Sequence, residues 1–208
     1  MQSDREMAAH ADPQLGQHFL VSGEKLAKLI GAAGIRPTDE VLEVGAGIGT
    51  VARALPKSRS LTVIELDKRL IGFLRQNVPH AKVLQGDALE IIGRISFDVL
   101  IGNLPHAVTE SLITLMPSLS FRTAVLAVGE STDLDKLGTA FSWSEVTRIT
   151  GDDFLPPQPS VSRIVRVVPA SGGGSSHPES QLAQVSRGAG RPALAFDYVG
   201  ALSDDGDD

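Results

Sequence analysis

Three glycines at alternate positions, Gly45, Gly47 and Gly49, follow the apolar residues 41–44. This pattern predicts a buried strand that enters a tight turn and continues into a helix. Glycine tolerates positive φ and lets the backbone approach a bulky ligand, while the free N–H groups of a new helix favour polar ligand atoms. Taken alone, the turn is also compatible with a plain connection between a strand and a helix.

Two carboxylates narrow the choice of ligand. Glu65 ends the next apolar run, sixteen residues after Gly49. An acidic residue at the tip of the second strand is where a nucleoside cofactor presents its ribose hydroxyls. Asp87 lies in a turn after the third predicted strand and is a candidate acceptor for an adenine amino group. The alternative for Asp87 is an ordinary turn residue or helix N-cap.

Residues 103–106 combine two hydrogen-bond acceptors with a ring. Pro105 restricts Leu104 to extended backbone, which can turn the Leu104 carbonyl towards a bound base. Asn103 adds a side-chain amide oxygen. Two such acceptors could hold the hydrogens of an exocyclic amine and direct its lone pair at an electrophile. His106 supplies a flat ring for stacking, unless the segment is only a turn with His106 on the surface.

The elements that must position these residues alternate along the chain. The predicted strands are 40–44, 60–66, 82–84, 97–101 and 123–128. The predicted helices are 23–33, a short helix that follows the glycine turn and ends at Leu55, 68–77 and 109–116. This alternation predicts an α/β fold with a parallel sheet covered on both faces. Residues 133–141 predict a short helix, and strands at 145–150 and 162–168 predict two antiparallel additions to the sheet. Ligands of such a sheet bind beyond the carboxyl ends of its strands, where the candidate residues lie.

The composition of the 208 residues limits the possible chemistry. The absence of cysteine excludes a disulfide framework, a thiolate zinc site and a cysteine nucleophile. Residues 1–13 lack the apolar region of a signal peptide, and no apolar run approaches the ~18 residues of a spanning helix. The net charge of −6 argues mildly against a protein coated in nucleic acid, but residues 171–208 carry six acids against two arginines. We therefore expect a near-neutral domain at 15–170, between a flexible N-terminus at 1–14 and an acidic, Gly/Ser-rich flexible tail at 171–208.

Six segments in order resemble the ribosomal RNA adenine N6-dimethyltransferase family, and its small-subunit branch more than its macrolide-resistance branch. The matching segments are 16–20, 43–49, 63–67, 86–88, 103–105 and 154–162. The resemblance extends from about Leu15 to Pro169. It implies a Rossmann-like S-adenosylmethionine-dependent methyltransferase fold, with a mostly parallel seven-stranded sheet and helices on both faces.

The resemblance also implies roles for individual residues. Asn103 and the Leu104 carbonyl would orient the target amine, and the rings of His106 and Phe154 would sandwich a flipped adenine. The cofactor, S-adenosyl-L-methionine, would be bound by His18, Leu20, Gly45, Gly47, Glu65, Asp87 and Asn103. Within this set, Gly45 would face the methionine part, Glu65 the ribose and Asp87 the adenine. No metal site is implied.

The implied activity is the dimethylation, at N6, of two adjacent adenosines in the 3′-terminal hairpin loop of small-subunit ribosomal RNA, with a role in small-subunit biogenesis. The expected partner is this RNA or the 30S precursor, without a membrane, for a cytoplasmic monomer. Three departures leave alternatives open: His106 replaces the usual Tyr or Phe, residues 129–145 are abbreviated, and the helical C-terminal domain of the family is missing or replaced by the acidic tail. The alternatives are a large-subunit adenine methyltransferase conferring antibiotic resistance and a non-catalytic ribosome-assembly factor that keeps the fold.

Overall fold

The computed structural model describes residues 9–12 and 15–170. The strands in this part are β1 (Phe19–Leu20), β2 (Glu40–Val44), β3 (Ser60–Glu65), β4 (Lys82–Gln85), β5 (Val99–Gly102), β6 (Thr123–Gly129), β7 (Phe141–Ile149), β8 (Phe154–Leu155) and β9 (Ser162–Pro169). The α-helices with described bounds are α1 (Gly23–Ala33), α2 (Ile71–Asn77), α3 (Ala88–Ile91) and α4 (His106–Leu115). Short 3-10 helices lie at Ala52–Ala54, Ile92–Arg94, Met116–Ser118, Leu134–Ala140 and Gly151–Asp153.

Seven strands form one sheet in the order β4-β3-β2-β5-β6-β9-β7. The pairings among β4, β3, β2, β5 and β6 are all parallel. Strand β9 lies between β6 and β7 and is antiparallel to both. The prediction of a mostly parallel, seven-stranded sheet is therefore confirmed. Of the two strands predicted to be antiparallel, β9 is confirmed. The prediction is wrong for β7, because the chain reaches the edge of the sheet first and returns between β6 and β7, which leaves β7 running in the same direction as the parallel strands.

Helices cover both faces of the sheet, as predicted. Neighbouring residues of β2 point to opposite layers, since side chains alternate along a strand. Val41 packs in the same cluster as Leu29 of α1, whereas Leu42 packs with Leu112 of α4. Strands β5 and β6 are buried along their whole length and consist almost entirely of apolar residues, which is typical of central strands in a parallel sheet.

Several element boundaries differ from the sequence predictions. The helix expected to run through Leu55 is reduced to the 3-10 turn Ala52–Ala54, because Leu55 precedes a proline and is extended. The helix expected at 109–116 begins three residues earlier, at His106. The helix expected at 133–141 is a 3-10 segment interrupted at Gly138, where φ is +65°. Strand β7 consequently begins at Phe141 instead of residue 145.

A separate two-stranded sheet joins two segments that lie far apart in the chain. In the antiparallel pair of β1 and β8, Leu20 lies opposite Phe154 and Phe19 lies opposite Leu155. The backbone N–H of Val21 donates to the Asp153 carbonyl at 2.9 Å, which extends this connection. This small sheet attaches the segment before α1 to the loop that leads into β9.

The two segments predicted to be flexible lie partly or wholly outside the described residues. Of residues 1–14 the structure describes 9–12, where the His10 ring lies 4.0 Å from the Phe73 ring and Arg69 donates to Asp12 at 2.9 Å. Residues 171–208 are outside the described range. Among the described residues, no helix has the length and apolar character needed to cross a membrane, and no three metal-ligating side chains gather into a site.

Candidate cofactor and target site

A cavity of about 350 Å³ opens beyond the carboxyl ends of β2, β3, β4 and β5. All seven residues predicted to bind the cofactor line this cavity: His18, Leu20, Gly45, Gly47, Glu65, Asp87 and Asn103. They come from five separate segments. Parallel strand pairing brings four of these to one edge of the sheet, and the antiparallel pairing of β1 with β8 holds the fifth, which contains His18 and Leu20. The structure thus assembles the predicted nucleoside-cofactor residues around one volume.

The glycine turn has a backbone that only glycine adopts without strain. Gly45, Gly47 and Gly49 have φ values of +68°, +58° and +84°. Their space is also restricted, since a Cβ on Gly45 would collide with the Leu104 side chain and one on Gly47 would lie 2.8 Å from the Phe19 ring. The turn therefore brings backbone to the cavity wall at the point where side chains would fill it.

Glu65 is fixed by two backbone N–H groups. Its Oε2 accepts from Gly47 at 2.6 Å and its Oε1 accepts from Asp67 at 2.9 Å. Burial raises the pKa of Glu65, and these N–H donors oppose that shift. Each oxygen keeps a further lone pair, so the carboxylate can still accept from ligand hydroxyls.

Glu43 is a cavity residue that sequence analysis did not assign. It lies within β2, is 3% exposed, and its Oε2 has no hydrogen-bond partner. Burial raises the pKa of Glu43 to about 8, and the nearby charge of Glu65 adds to the shift. Thr50 Oγ1 is a second buried oxygen without a partner on the same cavity. The available signal for Glu43 was an acidic residue inside an otherwise apolar strand, because a buried carboxyl needs a partner.

Asp87 fulfils the helix-cap alternative and also lines the cavity. Its Oδ1 accepts from the Leu89 N–H at 2.8 Å, which caps α3. The N-cap role holds the carboxylate at the turn after β4, where it contacts the cavity. The two interpretations of Asp87 are therefore compatible.

A second cavity of about 190 Å³ adjoins the first and shares Gly16, His18, Asn103, Leu104 and Pro105 with it. The Asn103 Nδ2 donates to the His18 carbonyl at 3.3 Å, which leaves Oδ1 as an acceptor. The Leu104 carbonyl accepts from Thr109 Oγ1 at 3.3 Å and keeps a second lone pair. Two oriented acceptors therefore stand at the junction of the cavities, as an exocyclic amine requires.

The two predicted stacking rings are placed differently. His106 is the first residue of α4 and lines the second cavity, with its Nε2 3.0 Å from Ser162 Oγ. Phe154 is only 2% exposed, packs in the same core cluster as Leu20, and lines neither cavity. The expectation that Phe154 presents a ring face to a base does not match this placement. The reason is the β1–β8 pairing, because residues opposite each other in an antiparallel pair share a face, and this face is the core.

A charged network holds residues 16–20 against the first cavity. The Gln17 Nε2 donates to Asp67 Oδ2 at 3.2 Å, and Gln17 Oε1 accepts from the Asp12 N–H at 2.8 Å. Arg69 donates to both Asp67 and Asp12. The hydrogen bond from Arg69 lowers the pKa of Asp67 to about 2. Asp67 also follows Glu65 in the turn after β3, so this network links residues 16–20 to that turn.

The strand order, the glycine turn and the carboxylate at the end of β3 together define the Rossmann-like methyltransferase class. A solved dimethyladenosine transferase from Plasmodium falciparum has this fold. It is 26% identical, with a TM-score of 0.67, and the similarity covers 73% of this chain and 63% of that one. The chain belongs to the ribosomal RNA adenine dimethylase family, which matches residues 8–145. The family resemblance is thereby confirmed, and five of the six segments lie within the matched residues.

Curated relatives carry the same name in different bacteria. The ribosomal RNA small subunit methyltransferase A of Malacoplasma penetrans (strain HF-2) is 32% identical over 124 residues, covering 57% of this chain and 46% of that protein. The protein of that name from Dehalococcoides mccartyi (strain CBDB1) is 29% identical over 178 residues, covering 74% of this chain and 61% of that protein. The chain therefore spans about half to three fifths of the length of these relatives.

Proposed function

We propose that this protein transfers methyl groups from S-adenosyl-L-methionine to N6 of two adjacent adenosines in the 3′-terminal hairpin loop of small-subunit ribosomal RNA, with a role in small-subunit biogenesis. The observation that carries the proposal is the pair of adjoining cavities, with the acceptors of Asn103 and Leu104 at their junction. The names of the relatives support the choice of RNA.

The residues around the first cavity fit the proposed cofactor. Glu65 would accept from the ribose hydroxyls and Asp87 from the adenine amino group, while Gly45 and Gly47 bring backbone to the wall. The unpartnered Oε2 of Glu43 suits the positive charge of an amino-acid group. When bound, the cofactor supplies an electrophilic sulfonium methyl group. The protein's task is then mainly alignment of the acceptor amine with that methyl group.

The target amine needs acceptors more than it needs a base. The lone pair of adenine N6 is delocalised into the ring, which makes it a poor nucleophile. Hydrogen bonds from N6 to Asn103 Oδ1 and the Leu104 carbonyl would favour a pyramidal nitrogen with its lone pair available. The target base must first leave its stack, and stacking on a ring such as His106 is worth roughly 1–3 kcal/mol per base. We further propose that the protein acts as a cytoplasmic monomer on the RNA or on a 30S precursor.

A non-catalytic ribosome-assembly role is a second candidate. Two observations favour it: histidine stands at position 106, where the family usually has tyrosine or phenylalanine, and Phe154 is buried in the core. Both reduce the stacking surface available to a flipped base. Such a protein would keep the cofactor cavity and the fold but would not transfer methyl groups.

These functions can be distinguished by incubating the full chain and labelled S-adenosylmethionine with each of three substrates. The substrates are under-methylated small subunits, naked small-subunit RNA and large-subunit RNA. We expect label on the small subunits, at two adjacent adenosines as N6,N6-dimethyladenosine. Label on large-subunit RNA alone would contradict the proposal and support the resistance-type activity. No label on any RNA, together with measurable cofactor binding, would support the assembly role.

A further inference from the structure

A chain of hydrogen bonds leads from a loop into the wall of the second cavity. Ser162 is 2% exposed, and its Oγ lies 3.0 Å from His106 Nε2 and 2.6 Å from Gln158 Nε2. Gln158 is itself fixed, because its backbone N–H donates to the Gly151 carbonyl at 3.3 Å. Ser162 lines neither cavity, whereas His106 and Gln158 both line the second. The serine therefore acts on this cavity only through its neighbours.

The Ser162 hydroxyl can form hydrogen bonds with both of its neighbours at once. The amide nitrogen of Gln158 only donates, so Ser162 Oγ is the acceptor of that bond. Ser162 Oγ keeps one hydroxyl hydrogen and a second lone pair, so it forms a hydrogen bond with His106 Nε2 in either tautomer of the ring. The buried Ser162 hydroxyl thus has two hydrogen-bond partners, and its bond to the imidazole restricts rotation of the His106 ring.

The opposite edge of the ring is also confined. A Cβ on Gly129 would lie 3.2 Å from His106 Nδ1, so the imidazole packs directly on the backbone at Gly129. Gly129 and Ser162 are cross-strand partners in β6 and β9. One rung of the main sheet therefore confines both nitrogen edges of the ring.

We propose that Ser162 is a positioning residue that, together with Gln158, fixes the imidazole plane of His106 as the stacking wall for the target adenine. This wall takes the place of the sandwich expected from His106 and Phe154, whose ring is buried. The inference rests on the proposed function for its substrate, a flipped purine base. Its structural part, the hydrogen bond that fixes the ring, can be measured without RNA.

The first test compares Ser162→Ala with Ser111→Ala in steady-state methyl transfer. Ser111 is an exposed residue of α4 whose hydroxyl donates to the Ala107 carbonyl, so it controls for the loss of a serine hydroxyl on the same helix as His106. We expect Ser162→Ala to lower kcat about five- to tenfold, as for the loss of one hydrogen bond, with KM for S-adenosylmethionine within about twofold. We expect Ser111→Ala to stay within about twofold of the parent in both constants.

A double-mutant cycle then asks whether the serine acts through the histidine. In a His106→Phe background, Ser162→Ala should change kcat by less than about twofold, because its partner is already absent. A full loss that persists in this background would overturn the proposal, since it would assign the serine a role in the fold of the loop. Thermal unfolding of each variant separates such a folding defect from a change in the site.

Nitrogen-15 spectra of histidine-labelled protein test the hydrogen bond itself. The chain has five histidines, and His106→Phe identifies the signal of His106. We expect Ser162→Ala to shift the Nε2 resonance of His106 and Ser111→Ala to leave it in place. An unchanged resonance in Ser162→Ala would overturn the proposal. If the parent methylates none of the RNAs, the proposed function fails, and the same resonance still supports or overturns the fixed ring.

Discussion

The two adjoining cavities are built in different ways. The first lies at strand ends of the parallel sheet, and one part of its wall is a turn whose positive φ values are set by glycines in one short segment. The second depends on contacts between residues far apart in the chain, such as His106 with Ser162 and His18 with Pro156. The glycine turn of the first cavity, the proposed cofactor side, is therefore encoded in one short segment, whereas the wall of the second cavity, the proposed target side, forms only when distant segments come together.

The largest expected effect concerns the stability of the cofactor side. Folding raises the pKa of Glu43 from 4.5 to about 8. Between these values the folded state keeps the proton while the unfolded chain has released it, so the free energy of unfolding falls as pH rises through this window. Each pKa unit corresponds to about 1.4 kcal/mol, and we expect a decrease of a few kcal/mol. Urea unfolding from pH 4.5 to 9 should show that Glu43→Gln has a smaller decrease than the parent; equal curves would contradict the assignment to Glu43.

The next effect should be confined to the junction of the two cavities. Asn103→Ala removes one oriented acceptor, and we expect methyl transfer to fall about 100-fold. Cofactor affinity should remain within about tenfold, because Glu65 and the glycine turn are untouched. Calorimetric titration with S-adenosylhomocysteine measures that affinity. A parallel loss of affinity and rate would mean that Asn103 serves the cofactor and not the target amine.

A change in the glycine turn should affect the cofactor side. In Gly47→Ala, a side chain is forced to φ +58° and towards the Phe19 ring, so we expect cofactor affinity to fall about tenfold and stability to fall by about 1–2 kcal/mol. Gly31→Ala is the matched control, because Gly31 lies inside α1 with nothing within 4 Å of its added Cβ. This control should gain about 0.5–1 kcal/mol and keep its affinity. Equal affinity in both variants would refute a special role for the turn.

The smallest expected effect concerns the ring of His106 in the second cavity. Tyrosine or phenylalanine is usual at position 106 in the family that the sequence resembles, and this by itself favours equal or higher activity for His106→Tyr. The structure reverses this expectation, since a longer ring would press on Ser162, whose Oγ is already 3.0 Å from the present ring. We expect a decrease of about fivefold in kcat, comparable to a modest overpacking cost. Activity above that of the parent would show that the ring needs no support from Ser162.

The sequence predicted the parts of the fold that depend on local patterns. Alternating strands and helices, the turn at Gly45 and the acceptor at Asn103 follow from hydrophobic periodicity and from the preferences of glycine and proline. Glu43 was missed because its strand is otherwise read as core, and only its position beside a cavity distinguishes it from a misplaced polar residue. The burial of Phe154 and the insertion of β9 depend on pairings between distant segments, which residue patterns do not specify.

The sharing of His18 by the two cavities has a thermodynamic consequence. Its carbonyl accepts from Asn103, and its ring bonds to the carbonyl of Pro156 in the loop that borders the target side. Because His18 lines both cavities, we expect a ligand that shifts it to change the free energy of binding at both places, and such linkage is reciprocal. If S-adenosylmethionine and RNA are the two substrates of the protein, as proposed, whatever factor the cofactor adds to the affinity for RNA, RNA must add to the affinity for the cofactor. The order in which the two substrates arrive therefore leaves the stability of the complete complex unchanged.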